Sequence, residues 1–210
     1  MAEPHSGGFT EFRRDRPPTE GNYAAMAIEE IDDKLRALLL ERITDVFDHP
    51  NPGVVFKDIA PLLADPDAFG PLVDVLARFC TAVGADKVAG LEARGFILAA
   101  PVALRAGLGF VPIRKAGKLP GPTLTQRYDL EYGSAEMEIQ RSAFAPGERV
   151  VVVDDVLATG GTVDAALGLL RRAGADVAGV AVLLELGFLA GRSRLATALG
   201  GAPLGAVLTI

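Results

Sequence analysis

The run Val150-Val151-Val152-Val153-Asp154-Asp155-Val156-Leu157-Ala158-Thr159-Gly160-Gly161-Thr162 constrains the fold more than any other stretch of the chain. Four consecutive β-branched apolar residues offer no polar face to water, so a strand over 150–153 must be covered on both sides, as inner strands of parallel sheets are. The two acids and the Gly-rich turn end that strand, and residues 162–172 then carry the apolar spacing of a helix. Elsewhere, valine-rich runs alternate with runs rich in alanine and leucine. They predict strands at 87–91, 110–113, 132–140 and 177–184 and helices at 67–83 and 95–105. The class is α/β, and a right-handed, doubly wound, mainly parallel sheet flanked by helices is the simplest assembly.

The rest of the chain divides by pattern. Residues 1–26 hold Pro4, Gly7, Gly8, Pro17 and Pro18 among scattered charges with no apolar period, which predicts a disordered leader ahead of a single domain over 27–210. Ile31, Leu35, Leu38, Leu39, Ile43, Val46 and Phe47 recur at helical spacing and predict one amphipathic helix from Ile28 onward. His49-Pro50-Asn51-Pro52-Gly53 ends it, and the extended Val54-Val55-Phe56 that follows, leading into Lys57, is a candidate binding element. Residues 114–126 carry basic residues, prolines and glycines without a period, which reads as a long exposed loop of the kind that serves as a lid.

Composition excludes several classes. A chain of 210 residues, 50% apolar, buries one sizeable core. Its net charge of -6 argues against non-specific binding to nucleic acid or acidic membranes. Cys80 is the only cysteine, so no internal disulfide and no cysteine-built zinc site is possible, which fits a reducing cytoplasm, and Cys80 itself reads as core. No stretch of about 20 apolar residues predicts a membrane span. His5 and His49 have no partnered acid and read as surface residues.

Ligands of open α/β sheets sit beyond the carboxyl ends of the strands, and a turn such as Ala158-Thr159-Gly160-Gly161-Thr162 at a helix start offers backbone N–H groups to a phosphate. Thr159 and Thr162 add hydroxyl donors. Asp154 and Asp155 cannot cradle an anion, so their partners are ribose hydroxyls, metal-bound waters, or both. The blander reading, that the acids merely end a strand and cap a helix, suits an isolated pair better than one set between a buried run and this turn. Together these residues predict a phosphorylated sugar with Mg2+, held without a direct protein ligand and through water at Asp154 and Asp155. Neither the Rossmann glycine pattern nor the P-loop pattern is present.

The same run resembles the binding motif for 5-phosphoribosyl-1-pyrophosphate (PRPP) of the type I phosphoribosyltransferases. Further segments resemble the adenine branch of that family: Pro52-Gly53-Val54-Val55-Phe56-Lys57-Asp58-Ile59, Gly90-Leu91-Glu92-Ala93-Arg94-Gly95-Phe96, Pro112-Ile113-Arg114-Lys115-Ala116-Gly117-Lys118-Leu119-Pro120 and Leu130-Glu131-Tyr132-Gly133. The similarity runs from about residue 28 to about residue 195. It implies the type I fold with a small base-covering hood and a mobile lid loop, transfer of phosphoribose from PRPP to adenine giving AMP and pyrophosphate, and a homodimer. It places Asp154, Asp155, Ala158, Thr159, Gly160, Gly161 and Thr162 on the ribose phosphate, and Arg94 on pyrophosphate. Phe56 stacks on adenine while the backbone around Val55 and Lys57 reads the base edge, and Glu131 lies in the lid. The cluster Arg114, Lys115 and Lys118 suits an anionic ligand in an acidic chain.

Two departures matter. Transferases for 6-oxopurines usually carry a carboxylate where Ala158 stands, so proton handling at the base falls to Glu131 and adenine is preferred to hypoxanthine or guanine. Glu92-Ala93 replaces an Asp-Ser pair beside Arg94. The rivals are a 6-oxopurine or orotate transferase, and a PRPP-sensing regulator, which needs a basic nucleic-acid-reading helix that the sequence does not supply.

Overall fold

The computed structural model describes residues 28, 31–129 and 134–210. The expected leader over 1–26 lies outside the described residues, as do Glu131 and Tyr132. Among the described residues the chain forms helices α1 (Asp33–Glu41), α2 (Ala60–Ala64), α3 (Pro66–Ala82), α4 (Arg94–Ala106), α5 (Gly161–Arg172) and α6 (Gly191–Leu199). Its strands are β1 (Thr44–Phe47), β2 (Val55–Asp58), β3 (Lys87–Leu91), β4 (Gly109–Lys115), β5 (Thr123–Asp129), β6 (Ser134–Gln140), β7 (Arg149–Leu157), β8 (Asp176–Glu185) and β9 (Leu204–Thr209). None of these helices is long and apolar enough to cross a membrane.

Strands β3 to β9 make one sheet in the order β5-β6-β4-β3-β7-β8-β9. The neighbours from β4 to β9 are parallel, and β5 and β6 close the far edge as an antiparallel hairpin. From β3 the chain crosses through α4 to β4 on one side, and from β7 it crosses through α5 to β8 on the other. The direction of winding therefore reverses between β3 and β7, which opens a crevice at their carboxyl ends. The valine run behaves as its composition requires. Val151 and Val153 pack with Leu76, Phe79, Leu98 and Val102 on one face, while Val150 and Val152 pack with Val163, Leu167 and Leu170 on the other. All four valines are fully buried.

Three expectations need correction. The amphipathic helix does not run on from Ile28 through Phe47: α1 stops at Glu41, and Thr44–Phe47 is a strand paired antiparallel with Val55–Asp58. Val46 and Phe47 fit a helical count, but β-branched and aromatic residues also suit strands, and a tight turn settles the choice. There Asp48 takes a left-handed φ of 57° and its Oδ1 accepts from Gly53 N at 2.7 Å, with Gly53 at φ 85°. Second, 114–126 is not one long loop. Arg114 and Lys115 end β4, and Thr123–Asp129 is a full strand in register with β6. Its inward positions Leu124 and Tyr128 pack on the second core layer, a period-2 signal masked by polar residues between them. Third, β7 does not stop before the acids but continues through Asp154 and Asp155 to Leu157, paired with β8. Helix α6 and strand β9 were not anticipated.

Candidate active site

The crevice between β3 and β7 gathers the residues expected to carry chemistry. From β3, the turn Glu92-Ala93 leads directly into α4, whose first residue is Arg94. From β7 come Asp154 and Asp155, then the turn to α5, with Gly160 at φ 83° as its N-cap. The two sides touch at Gly95, where a Cβ atom would lie 2.6 Å from Asp154 Oδ1 and 3.1 Å from Val153 O. Only glycine lets the helix start come this close to the acids.

Arg94 joins elements far apart in sequence. Its Nε lies 2.7 Å from Asp155 Oδ2, one guanidinium nitrogen donates to Lys57 O at 3.3 Å, and its Cζ sits 4.5 Å from the centroid of the Phe56 ring. Phe56 also meets His49 edge-on at 5.0 Å. The β1–β2 ribbon is thus held against the crevice by a cation over an aromatic face and by one side-chain hydrogen bond to a backbone carbonyl. Lys57 Nζ pairs with Asp45 Oδ1 at 2.6 Å across the ribbon, while Val55 is exposed.

The acids differ. Asp155 is 5% exposed, and its Oδ2 meets Arg94 as an ion pair without hydrogen-bond alignment. That oxygen is a buried acceptor facing a crevice, suited to a ribose hydroxyl or a metal-bound water. Asp154 is partly buried, and desolvation of its carboxyl together with the neighbouring Asp155 charge pushes it well above the ordinary aspartate range. The folded chain then keeps a proton that the unfolded chain has released, so this group's contribution to stability falls as pH rises from the ordinary aspartate value through the raised one. Asp154→Asn removes the effect. Relative to the wild type it raises the melting temperature of the ligand-free protein at about pH 8 and not at about pH 4. A difference that does not vary with pH would refute the buried-charge assignment.

The basic cluster sits on a second scaffold of acids. Glu92 Oε2 lies 3.3 Å from Arg114 Nε and accepts from Lys115 N at 2.8 Å. The latter bond, with Arg114 beside it, lowers the Glu92 carboxyl below its usual range. Glu138, 4% exposed, accepts from the backbone nitrogens of Lys118 and Leu119, each at 2.8 Å. Lys115 and Lys118 are exposed beside the crevice while their backbone is fixed. Glu92 therefore does more than replace a small acid: it ties β4 to the β3 turn.

Tyr128 was not singled out from sequence. It lines a small cavity with Glu92, Arg114 and Thr162, and burial, with Asp154 nearby, pushes its hydroxyl pKa up. Its signal was the alternation Leu124, Gln126, Tyr128. Cys80 is buried, which pushes its thiol up to about 12 and leaves it inert. Among the described residues no cluster of three or more His, Cys, Asp or Glu side chains can hold a metal.

Comparison with known proteins adds to this geometry. A family model described as phosphoribosyl transferase domain matches residues 81–195. A relative named adenine phosphoribosyltransferase, from Streptomyces coelicolor, is 70% identical over 173 residues, which span 82% of this chain and 95% of the relative. The crystal structure of adenine phosphoribosyltransferase from Rhodothermus marinus superposes with a TM-score of 0.79 at 42% identity, covering 85% of this chain and 100% of that one. The Saccharomyces cerevisiae enzyme, solved with an imino-altritol bisphosphate and adenine, superposes with a TM-score of 0.76 at 37% identity, covering 84% and 99%.

Proposed function

Because the chain belongs to the phosphoribosyltransferase family, within its adenine branch, we infer that it transfers the 5-phosphoribosyl group of PRPP to N9 of adenine, releasing AMP and pyrophosphate. The observation that carries this reading is the convergence of Phe56, Arg94 and Asp155 at the sheet's switch point, where base, leaving group and ribose must meet. In this reading the turn Ala158 to Thr162 receives the 5-phosphate, with the first amides of α5 lacking intrahelical partners and free to donate. Asp154 and Asp155 accept from the ribose hydroxyls and face the positive charge that develops at C1. Arg94, with Arg114, Lys115 and Lys118, neutralises the departing pyrophosphate. Adenine stacks on Phe56, and the backbone at Val55 and Lys57 reads its amino edge. The C1–O bond to pyrophosphate breaks as the N9–C1 bond forms, and the imidazole-ring proton that adenine gives up leaves to water.

Mg2+ belongs to the same reading. The acid pair and the buried Asp155 Oδ2 fit a hydrated ion, whose waters they would accept from. When bound, the ion stabilises the negative charge growing on pyrophosphate. A cytoplasmic homodimer is part of the proposal too. Glu131 is assigned to the proton balance at N7 of the base. Glu131→Leu then lowers kcat about 100-fold with little change in PRPP affinity, and Glu131→Gln, which still donates, is milder. Equal, near-wild-type rates for both variants remove Glu131 from the chemistry.

The direct test supplies the purified protein with PRPP, Mg2+ and one base at a time. Adenine is consumed at least about 100-fold faster than hypoxanthine, guanine or orotate, because a polar edge left unmatched is rejected more strongly than an apolar one. Comparable rates with hypoxanthine overturn the adenine assignment, and PRPP binding without turnover on any base overturns the enzyme reading.

A further inference from the structure

Behind the 5-phosphate turn lies a contact that the reaction as described does not use. The start of α6 presses on the turn backbone to backbone: a Cβ atom on Gly191 would collide with the Ala158 carbonyl and lie 3.2 Å from Gly160 N. Reciprocally, a Cβ on Gly160 would lie 3.0 Å from Gly191 O and 3.3 Å from Leu195 Cγ. Two glycines thus interlock the turn with a helix that follows it by some thirty residues.

Local capping does not hold that helix start. Its N-cap, Ala190, has a left-handed φ of 53° and makes no side-chain cap hydrogen bond. Instead Arg192, the second residue of the helix, places its guanidinium on Glu185. Nε donates to Glu185 Oε1 at 3.0 Å and to Oε2 at 3.1 Å, Nη2 also donates to Oε2, and Nη1 donates to Leu204 O at 2.8 Å. The Glu185 side chain is 8% exposed, so its charge depends on this partner. Glu185 ends β8 and is paired in register with Leu157, the residue before Ala158, and Leu186 N donates to Leu157 O at 2.9 Å. A closed circuit results: Leu157 to Glu185 through the sheet, Glu185 to Arg192 through the ion pair, and Gly191 back to Ala158 through the glycine contact.

Resting on the reading of Ala158 to Thr162 as the 5-phosphate site, we propose that Glu185 and Arg192 are positioning residues that set the geometry of that turn. They act through Gly191 and touch no substrate. The pair fixes where the helix start sits, the helix start fixes the Ala158 and Gly160 backbone, and the amides beyond it meet the phosphate. Displacements well under the size of a bond are enough to weaken several converging N–H donors together.

The experiment measures binding of ribose 5-phosphate and, separately, of inorganic pyrophosphate by calorimetry, with KM for PRPP and for adenine. Arg192→Met and Glu185→Gln are compared with the wild type, with Arg192→Lys as the conservative variant. Val73→Ala, in the opposite core layer, serves as a control for general destabilisation. The expected result is a loss of about 10-fold or more in ribose 5-phosphate affinity and a matching rise in the KM for PRPP for Met and Gln. The Lys variant recovers part of both. Pyrophosphate affinity and the KM for adenine stay near wild type, and Val73→Ala lowers the melting temperature without moving ribose 5-phosphate binding. Gly191→Ala, which drives a methyl group into the Ala158 carbonyl, shows the same selective loss. If Arg192→Met does not fold, Glu185→Gln and Gly191→Ala decide the matter. Equal losses for ribose 5-phosphate and pyrophosphate, or lowered stability with ribose 5-phosphate binding unchanged, overturn the proposal alone. A wild-type protein that binds no ribose 5-phosphate overturns the site reading along with it.

Discussion

Replacing Asp154 and Asp155 together by Asn lowers turnover by about 10,000-fold while the protein remains folded. Both carboxylates lie on β7 beyond Val153, where the strand has left β3 and pairs only with β8, so neither side chain is needed to complete the core. Asp155 is buried and Asp154 partly so, which the proposed site role explains. Asp155 Oδ2 has no hydrogen-bond donor among the described residues, and Asp154 holds its proton above the usual range. Both features are what a site looks like when its acceptors await hydroxyls or hydrated metal. Asn keeps the shape but offers no negative charge to an oxocarbenium-like ribose, and its NH2 group presents donors where acceptors are needed. The melting temperature of the double variant in the absence of ligand should equal or exceed that of the wild type, since the disfavoured Asp154 charge is gone and Arg94, 34% exposed, keeps solvent when its partner Asp155 is neutralised. Steady-state rates with PRPP and adenine, read beside that melting curve, check the claim. A folded double variant with unchanged turnover would remove the acid pair from the mechanism.

The second large effect belongs to Arg94. Arg94→Ala removes the proposed pyrophosphate counter-charge together with the cation over Phe56 and the donor to Lys57 O, so kcat/KM falls about 1,000-fold. It also strands the Asp155 carboxylate. Breaking a fully buried pair costs about 3–5 kcal/mol, but the Arg94 side chain is 34% exposed, so a loss of stability nearer about 2 kcal/mol is expected. Adding Asp155→Asn to Arg94→Ala separates the two consequences: stability returns and activity does not. Arg94→Lys keeps the charge but loses the planar fork, and recovers activity only in part. An Arg94→Ala enzyme with near-wild-type kcat/KM, or a double variant that regains activity with its stability, would make Arg94 a structural counter-ion only.

What the sequence determined by itself lies where the physics is local. Val150 to Val153 can be a buried strand and little else, and the acids, the Gly160 turn and α5 follow within a dozen residues, so strand, turn and helix were legible together with the ligand class they suit. The spans of α3, β3 and α4 were set by the same short-range periodicity and agree with expectation to within about two residues. Where one stretch of sequence fits two periods, the partner decides. Thr44–Phe47 became a strand because Val55–Asp58 folds back onto it, and Thr123–Asp129 because β6 lies alongside. The site divides in the same way. Asp154, Asp155 and the Thr-Gly-Gly-Thr turn could be named from neighbouring residues, but the placing of Arg94 over Phe56 and against Asp155 joins positions 56, 94 and 155, which no local pattern connects. The glycine contact between Gly160 and Gly191, backed by Glu185 and Arg192, is likewise a product of tertiary packing. Hydrophobic periodicity selects secondary structure over a few residues at a time. Which helix start comes to rest on which turn is decided only when the sheet's winding reverses between β3 and β7 and brings both to the same edge.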